Sequence, residues 1–327
     1  DVVRRKERES ELLSAQIVEA SKEFEMEELG KTEIHREKPK ESFTCGTGWG
    51  LYHGDCVEIM EDLLEENSVD FSIFSPPFAS LYTYTALTND IGNSRDQATF
   101  FEHFGYAIKG ILKVLKPGRL IAVHVAQIPA MQTYDGWIGL KDFRGRVVSE
   151  FVDRGWIYHG ELTIDKNPQV QAIRTHAKGL LFSQLKKDSS WLRPGLADYL
   201  LIFRKDGENQ IPIKPDVTNE EWIQYAHPVW YGIRETNVLN VRPGRDNKDE
   251  RHICPLQLDL IDRAIRLWSN PGDVVFSPFA GIGSEGVTAL KCGRQFVGIE
   301  LKTSYAHTAV KNLLYVEDDR KRGTLDL

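Results

Sequence analysis

The chain has 327 residues, 41% of them hydrophobic and 27% charged, with a formal net charge of −7. That is enough chain for a full core in one large domain or one domain plus an insert, and the composition is that of a soluble globular protein. A charge of −7 does not advertise a nucleic-acid binder, yet much of the acid lies in the N-terminal segment, and DNA binding depends on local basic surface and not on the total.

Residues 1–42 are rich in Glu, Lys and Arg. Leu12, Leu13, Ile17, Ala20 and Phe24 recur at helical spacing, which predicts one amphipathic helix ahead of a solvated linker. Because the first residue is Asp1, this segment reads as a connector from an upstream domain of a longer polypeptide, with packing on the compact domain that follows as the alternative. The compact domain starts near Cys45. Leu51 to Asp55 reads as a short strand ending in Gly-Asp, and Val57, Met60, Leu63 and Leu64 give the next helix its apolar face. Val69 to Phe74 is an apolar run that two prolines, Pro76 and Pro77, stop at once, so it reads as a buried strand leaving the sheet as a stiff loop.

Phe100 to Leu115 traces a long amphipathic helix stopped by Pro117-Gly118. Leu120 to Val125 predicts a strand, Val147 to Val152 a helix ended near Gly155, Ile157 to Ile164 a strand, and Ala197 to Phe203 another. Pro255 to Trp268 carries a strong apolar helical face, Val274 to Phe276 a strand, Phe296 to Glu300 a strand, and the region of Tyr305 to Leu313 a last helix. Alternation of this kind predicts a mostly parallel α/β sheet. Two irregular stretches interrupt it. Residues 165–194 carry Lys166, Arg174, His176, Lys178, Lys186, Lys187 and Arg193 with Phe182 and Trp191. Residues 206–251 carry Arg234, Arg242, Arg245, Lys248 and Arg251. Basic residues interleaved with aromatics suit a phosphate backbone and unstacked bases, against the plainer reading of solvated loops.

The chemistry concentrates at two of the strand ends. Ser75-Pro76-Pro77-Phe78 opens with a hydroxyl and closes with an aromatic ring. Rigid acceptors beside a stacking face suit a planar ring with an exocyclic amine: the serine oxygen and a loop carbonyl accept the amine's hydrogens while Phe78 stacks. The second end is Gly281-x-Gly283-x-x-Gly286, which follows a strand and has Glu300 about 20 residues beyond the first glycine. That pattern admits both NAD-dependent and adenosyl-cofactor enzymes. Only one helix and a tail follow Glu300, so earlier strands must complete the sheet, an order unusual for a dehydrogenase. Cys45, Cys56, Cys254 and Cys292 are scattered with no CxxC pair, which argues against zinc and against a disulfide framework and fits a reducing cytosol.

Ser75-Pro76-Pro77-Phe78 early, a basic middle, and Ser277-Pro278-Phe279-Ala280-Gly281-Ile282-Gly283-Ser284 late resemble the β-class DNA amino-methyltransferases over about residues 50–314. The resemblance implies a Rossmann-like, circularly permuted fold with a mostly parallel seven-stranded sheet and helices on both faces. It implies S-adenosyl-L-methionine as cofactor, DNA as partner, a flipped target base, and methylation of N4 of cytosine or N6 of adenine. The loop from Ser75 to Phe78 would then be catalytic. Ser277, Phe279, Ala280, Gly281 and Gly283 would line the cofactor, with Glu300 on the ribose hydroxyls, Asp55 at the adenine amine, and Cys254-Pro255 beside the methionine moiety. The serine form of the Pro-Pro loop is typical of the cytosine-N4 enzymes. Ser277 departs from the family's usual Asp, which leaves open a catalytically weak DNA-binding protein. A 5-methylcytosine enzyme would need a Pro-Cys nucleophile that the sequence lacks.

Overall fold

The computed structural model describes residues 42–77, 97–130, 135–170, 182–191, 194–240 and 255–322. The expected N-terminal helix, Phe78 and Cys254 lie outside the described residues, as do Arg174, His176, Lys178, Arg193, Arg242, Arg245, Lys248 and Arg251.

In chain order the strands are β1 (Ser42–Gly46), β2 (Trp49–His53), β3 (Val69–Phe74), β4 (Leu115–Ala126), β5 (Ile128–Ala130), β6 (Gly139–Lys141), β7 (Ile157–Ile164), β8 (Asp198–Arg204), β9 (Val229–Trp230), β10 (Val274–Ser277) and β11 (Gln295–Glu300). The helices are α1 (Cys56–Asp62), α2 (Gln97–Val114), α3 (Phe143–Val152), α4 (Phe182–Lys187), α5 (Asn219–Tyr225), α6 (Leu258–Trp268), α7 (Ser284–Lys291) and α8 (Thr303–Arg322). The main sheet runs β1-β2-β11-β10-β3-β4-β8-β7-β9, and β5 and β6 form a separate hairpin. Among the described residues that makes nine strands where seven were expected. The inner seven, β2 through β7 in that order, carry an added antiparallel strand at one edge and the two-residue β9 at the other.

The pairings β2–β11, β11–β10, β10–β3 and β3–β4 are parallel, whereas β4–β8 and β8–β7 are antiparallel. Beyond the register shift between Val69 and Phe71, the apolar residues of β3 alternate between two cores, as the period-two rule requires. Phe74 joins α1, α2 and α3 on one face, while Phe71 and Ile73 join α6, α7 and α8 on the other. The first core is rich in rings: Phe100 stacks on Phe104 at 5.7 Å, and Phe151 on Phe203 at 4.2 Å. Helix α1 departs from the expected face at one position, because Leu63 follows its end and is 49% exposed.

The far ends of the central strands are pinned by charge. Asp70 pairs with Lys116 at 2.6 Å and Arg119 at 3.3 Å, and it accepts from Val274 N at 3.0 Å. Arg119, 1% exposed, also reaches Asp273 at 2.9 Å. Breaking one partner of such a buried set leaves an uncompensated charge, which costs about 3–5 kcal/mol. With that edge locked, the opposite, C-terminal edge of β2, β11, β10, β3 and β4 is the one whose loops are free to carry a site.

The interval 206–251 is not wholly irregular. Thr218 and Glu221 form a capping box that starts α5, Glu221 pairs with Arg266 at 2.7 Å, and Trp230 is fully buried and stacks on Trp268 at 6.1 Å. Within its described part Trp230 and Ile233 are buried in the core, and the remainder is half-buried or exposed. Among the described residues no helix is long and apolar enough to cross a membrane.

Candidate active site

Strands β10 and β3 lie side by side and parallel, with Val275 opposite Phe71 and Phe276 opposite Ser72. The helix after β10 packs on one face of the sheet and the helix after β3 on the other. This is a topological switch point, where two loops diverge and open a crevice beyond the strand ends. Ser75-Pro76-Pro77 leaves from β3 and Pro278 to Gly283 from β10, so the two stretches singled out in the sequence meet at one edge. Ser72 Oγ ties the pair by donating to the Phe276 carbonyl at 2.9 Å. Phe279 bridges them, its ring 5.7 Å from Phe74 and 6.4 Å from Phe104.

The glycine turn is built as its spacing suggests. Gly281 has φ +53°, and a Cβ there would meet nothing within 4 Å, so the backbone faces open space. Gly283 has φ +88° and approaches Ala309 of α8, where a Cβ would sit at 3.3 Å. Gly286 lets α7 close on the sheet, since a Cβ would lie 2.5 Å from Phe296. Of the first two glycines, Gly281 is thus the one that opens toward a ligand, while Gly283 and Gly286 serve helix packing. Ala280 is buried.

Glu300 closes the turn from the next strand. Its Oε2 accepts from Gly281 N at 2.7 Å and its Oε1 from Lys302 N at 2.8 Å. Gly54 N donates to the Glu300 carbonyl at 3.0 Å, which brings Asp55 alongside. Asp55 caps α1, one oxygen accepting from Val57 N at 2.8 Å. Pro255 is half-buried and leads into α6, which packs on α7.

Two hydroxyls in this region, on Ser277 and Ser284, are buried with no hydrogen-bond partner among the described residues. A buried polar group left unpaired costs about 1–3 kcal/mol, so donors or acceptors from a ligand would be favoured there. Beside them Glu285, 4% exposed in the first turn of α7, has its carboxyl pushed up to about 8, mainly by burial, with the negative charge of Glu300 adding to it.

On the other side of the crevice lies a constellation that the sequence reading did not identify. Phe74 is in register with Val123, which sets Ser75 beside His124. The Ser75 Oγ is 3.2 Å from both His124 Nδ1 and the His124 carbonyl. His124 Nε2 is 3.0 Å from Asp198 Oδ2 at the start of β8, and Lys166 Nζ is 2.8 Å from that same oxygen. Burial would raise the Asp198 carboxyl, but hydrogen bonds and charge from His124 and Lys166 outweigh it and hold it at about 2. Lys166 was expected to contact phosphate; its side chain is only 5% exposed and is spent on Asp198. Pro76 is buried and Pro77 half-buried. The signal that could have found His124 is a histidine inside an otherwise apolar strand, Ile121 to Val125.

Of the other basic residues named above, Lys186 and Lys187 end α4 on the surface. Arg234 is exposed and bidentate on Asp259, at 2.9 and 2.7 Å. Among the described residues no three His, Cys, Asp or Glu side chains cluster as a metal site.

A family model described as DNA methylase, covering N6 and N4 enzymes, matches residues 69–311. Type II methyltransferase M.BglI of Bacillus subtilis is 24% identical over 320 residues, which span 80% of this chain and 85% of the relative. Type II methyltransferase M.BamHI of Bacillus amyloliquefaciens is 26% identical over 268 residues, 77% of this chain but 54% of that protein. Among solved structures, the PvuII DNA methyltransferase (cytosine-N4-specific) superposes with a TM-score of 0.58 at 18% identity, covering 84% of this chain and 92% of the other. A putative DNA modification methylase of Thermus thermophilus, complexed with S-adenosyl-L-methionine, superposes with a TM-score of 0.60 at 20% identity, covering 81% and 95%. At such identities the superpositions speak for the fold, a class I methyltransferase arrangement.

Proposed function

Because the chain belongs to the N6/N4 DNA methylase family, matched over residues 69–311, we propose that it is an S-adenosyl-L-methionine-dependent DNA methyltransferase acting on N4 of cytosine. The observation that carries this is the meeting of the Ser75 loop and the Gly281 turn at adjacent parallel strand ends. S-adenosyl-L-methionine, when bound, supplies an electrophilic methyl carbon and retains the carbon–sulfur electron pair as a neutral thioether. The residues present fit it. Gly281 lets a ligand reach the backbone. The Glu300 carboxylate lies against the Gly281 N–H at the end of the neighbouring strand, where it suits ribose hydroxyls, and the Ser277 hydroxyl, buried with no partner among the described residues, is available to a polar group.

The target amine is a weak nucleophile because its lone pair is conjugated with the ring. Ser75 Oγ, with a loop carbonyl, accepts the amine's hydrogens and draws the nitrogen toward tetrahedral geometry. Preorganised acceptors of this kind act where charge develops, at no reorganisation cost. The base must leave the duplex to reach a crevice at the strand ends, and Phe78 is the ring proposed to stack on it. The choice of cytosine over adenine is supported by the family resemblance alone, in which a serine-form Pro-Pro loop is typical of the cytosine-N4 enzymes.

The test is digestion of modified DNA to nucleosides followed by mass spectrometry. N4-methylcytosine is expected, and Ser75→Ala should lower the single-turnover rate by roughly 10²–10³ with cofactor affinity retained. N6-methyladenine alone would overturn the base assignment but keep the family chemistry. Cofactor and DNA binding with no methyl transfer on any DNA would make this a binding protein, the reading that Ser277 favours.

A further inference from the structure

Methylation leaves the amine with one proton too many, and the site must take it. We propose that His124 is the proton acceptor for this reaction, working through the Ser75 hydroxyl and oriented by Asp198. The inference rests on the methyltransferase reading of the Ser75 loop and adds to it the route by which the proton leaves.

The geometry supplies a continuous line of groups. Ser75 Oγ is 3.2 Å from His124 Nδ1, and His124 Nε2 is 3.0 Å from Asp198 Oδ2. A carboxylate accepts and cannot donate, so Asp198 fixes the proton of a neutral imidazole on Nε2 and leaves the Nδ1 lone pair facing Ser75. Among the described residues, Ser75 and Asp198 are the groups hydrogen-bonded to the ring, with Lys166 behind Asp198 at 2.8 Å. Lys166 shares the carboxylate with the ring, so Asp198 is held from two sides and fixes the imidazole's orientation. The whole line is largely dry: the Lys166 side chain is 5% exposed, His124 9% and Asp198 14%. In such surroundings a water could not easily replace these partners.

The amine nitrogen gains a methyl through its own lone pair and holds a positive charge. One N–H proton passes to Ser75 Oγ as the hydroxyl's hydrogen passes to His124 Nδ1. The ring becomes an imidazolium between Ser75 and the Asp198 carboxylate, and it returns the proton to solvent once the modified base departs. Ser75 ends as it began, a neutral hydroxyl, and no oxidant or metal is required. The hydroxyl alone, with no base behind it, could accept a hydrogen bond but could not carry the proton away. His124 touches the hydroxyl and not the base, so it is a positioning and relay residue, and Ser75 is the catalytic one.

A merely structural His124 would hold the Ser75 hydroxyl through its backbone carbonyl, also at 3.2 Å, and its ring would be silent in the kinetics. The experiment has two arms. Single-turnover methylation is measured against pH for the wild type, His124→Gln and Asp198→Asn, with cofactor and DNA affinities determined in parallel. The wild type should lose rate on the acid side as the imidazole protonates. His124→Gln should be slower by roughly 10²–10⁴ and lose that limb, and Asp198→Asn should move it to lower pH by removing the carboxylate that favours the imidazolium. Imidazole added to His124→Ala should restore part of the rate. In the second arm, ¹⁵N NMR of histidine-labelled protein should find Nε2 protonated and Nδ1 bare.

A protonated Nδ1 in the neutral ring, or an acid limb unchanged in His124→Gln, would overturn the proposal and leave methyl transfer by Ser75 intact. A wild type that produces no methylated nucleoside would instead remove the methyltransferase reading itself, and the relay with it.

Discussion

Glu285 is the buried acid whose behaviour can be worked out from its surroundings. It lies in the first turn of α7 at 4% exposure, and burial, with Glu300 adding, carries its carboxyl from 4.5 to about 8. Between those values the folded protein holds a proton that the unfolded chain has released. Stability from the neutral acid is therefore fully present below pH 4.5 and is lost as pH rises through about 8. Glu285→Gln keeps the shape and cannot ionise. The variant minus wild-type stability should rise by about 1.4 kcal/mol per pH unit across that window and level off near roughly 5 kcal/mol. Any cost of burying the amide enters as an offset that does not vary with pH. Urea unfolding at pH 5, 7 and 9 with a common m-value reads the difference directly. A variant whose stability runs parallel to the wild type across all three would refute a protonated Glu285 in the folded protein.

The two ends of the glycine turn should respond differently to the same methyl group. Gly281→Ala, at φ +53° with open space around it, should cost about 1 kcal/mol in stability and should reduce S-adenosylmethionine affinity in calorimetry; unchanged affinity would remove this turn from the cofactor site. Gly286→Ala, forced to 2.5 Å from Phe296 and 2.7 Å from Leu313, should instead lose roughly 1–3 kcal/mol of stability, read as a lower urea midpoint. Charge reversal at Lys186 and Lys187 together should flatten the log–log salt dependence of DNA binding by about 2 if each meets a phosphate. An unchanged slope would take α4 out of the DNA path.

Much of this architecture was legible because the signals are local. Strands β3 and β7 fall on the residues read as strands, since Pro76-Pro77 cannot continue a ladder and Gly155 ends the helix before Ile157. The glycine turn and Glu300 announced themselves by spacing. What escaped was fixed by tertiary contact. Strand β9 has two residues and exists only through its pairing with β7. Strand β1 is exposed throughout and is held by β2. The relay escaped for the same reason: His124 and Asp198 are 74 residues apart, and only the antiparallel register that sets Ala126 opposite Asp198 brings them together. Lys166 was grouped with its basic neighbours because no pattern in the chain distinguishes a buried lysine from a solvated one.

The pairing of β10 with β3 also dictates when the protein can fold. Ser72 and Phe276 are joined across 204 residues, as are Asp70 and Val274, and such long-range closure is slow to nucleate. While the chain is being made, β3 and β4 can pair well before β10 and β11 exist. Until residues 274–300 emerge, the sheet has a gap in its middle: β2 and β3 each present an unpaired, apolar edge, and Asp70 and Ser72 lack their partners across it. Exposed edges of that kind recruit other strands. A ribosome that stalled in the second basic stretch would therefore hold a chain prone to association, and the segment from Val274 onward closes the sheet as well as completing its crevice.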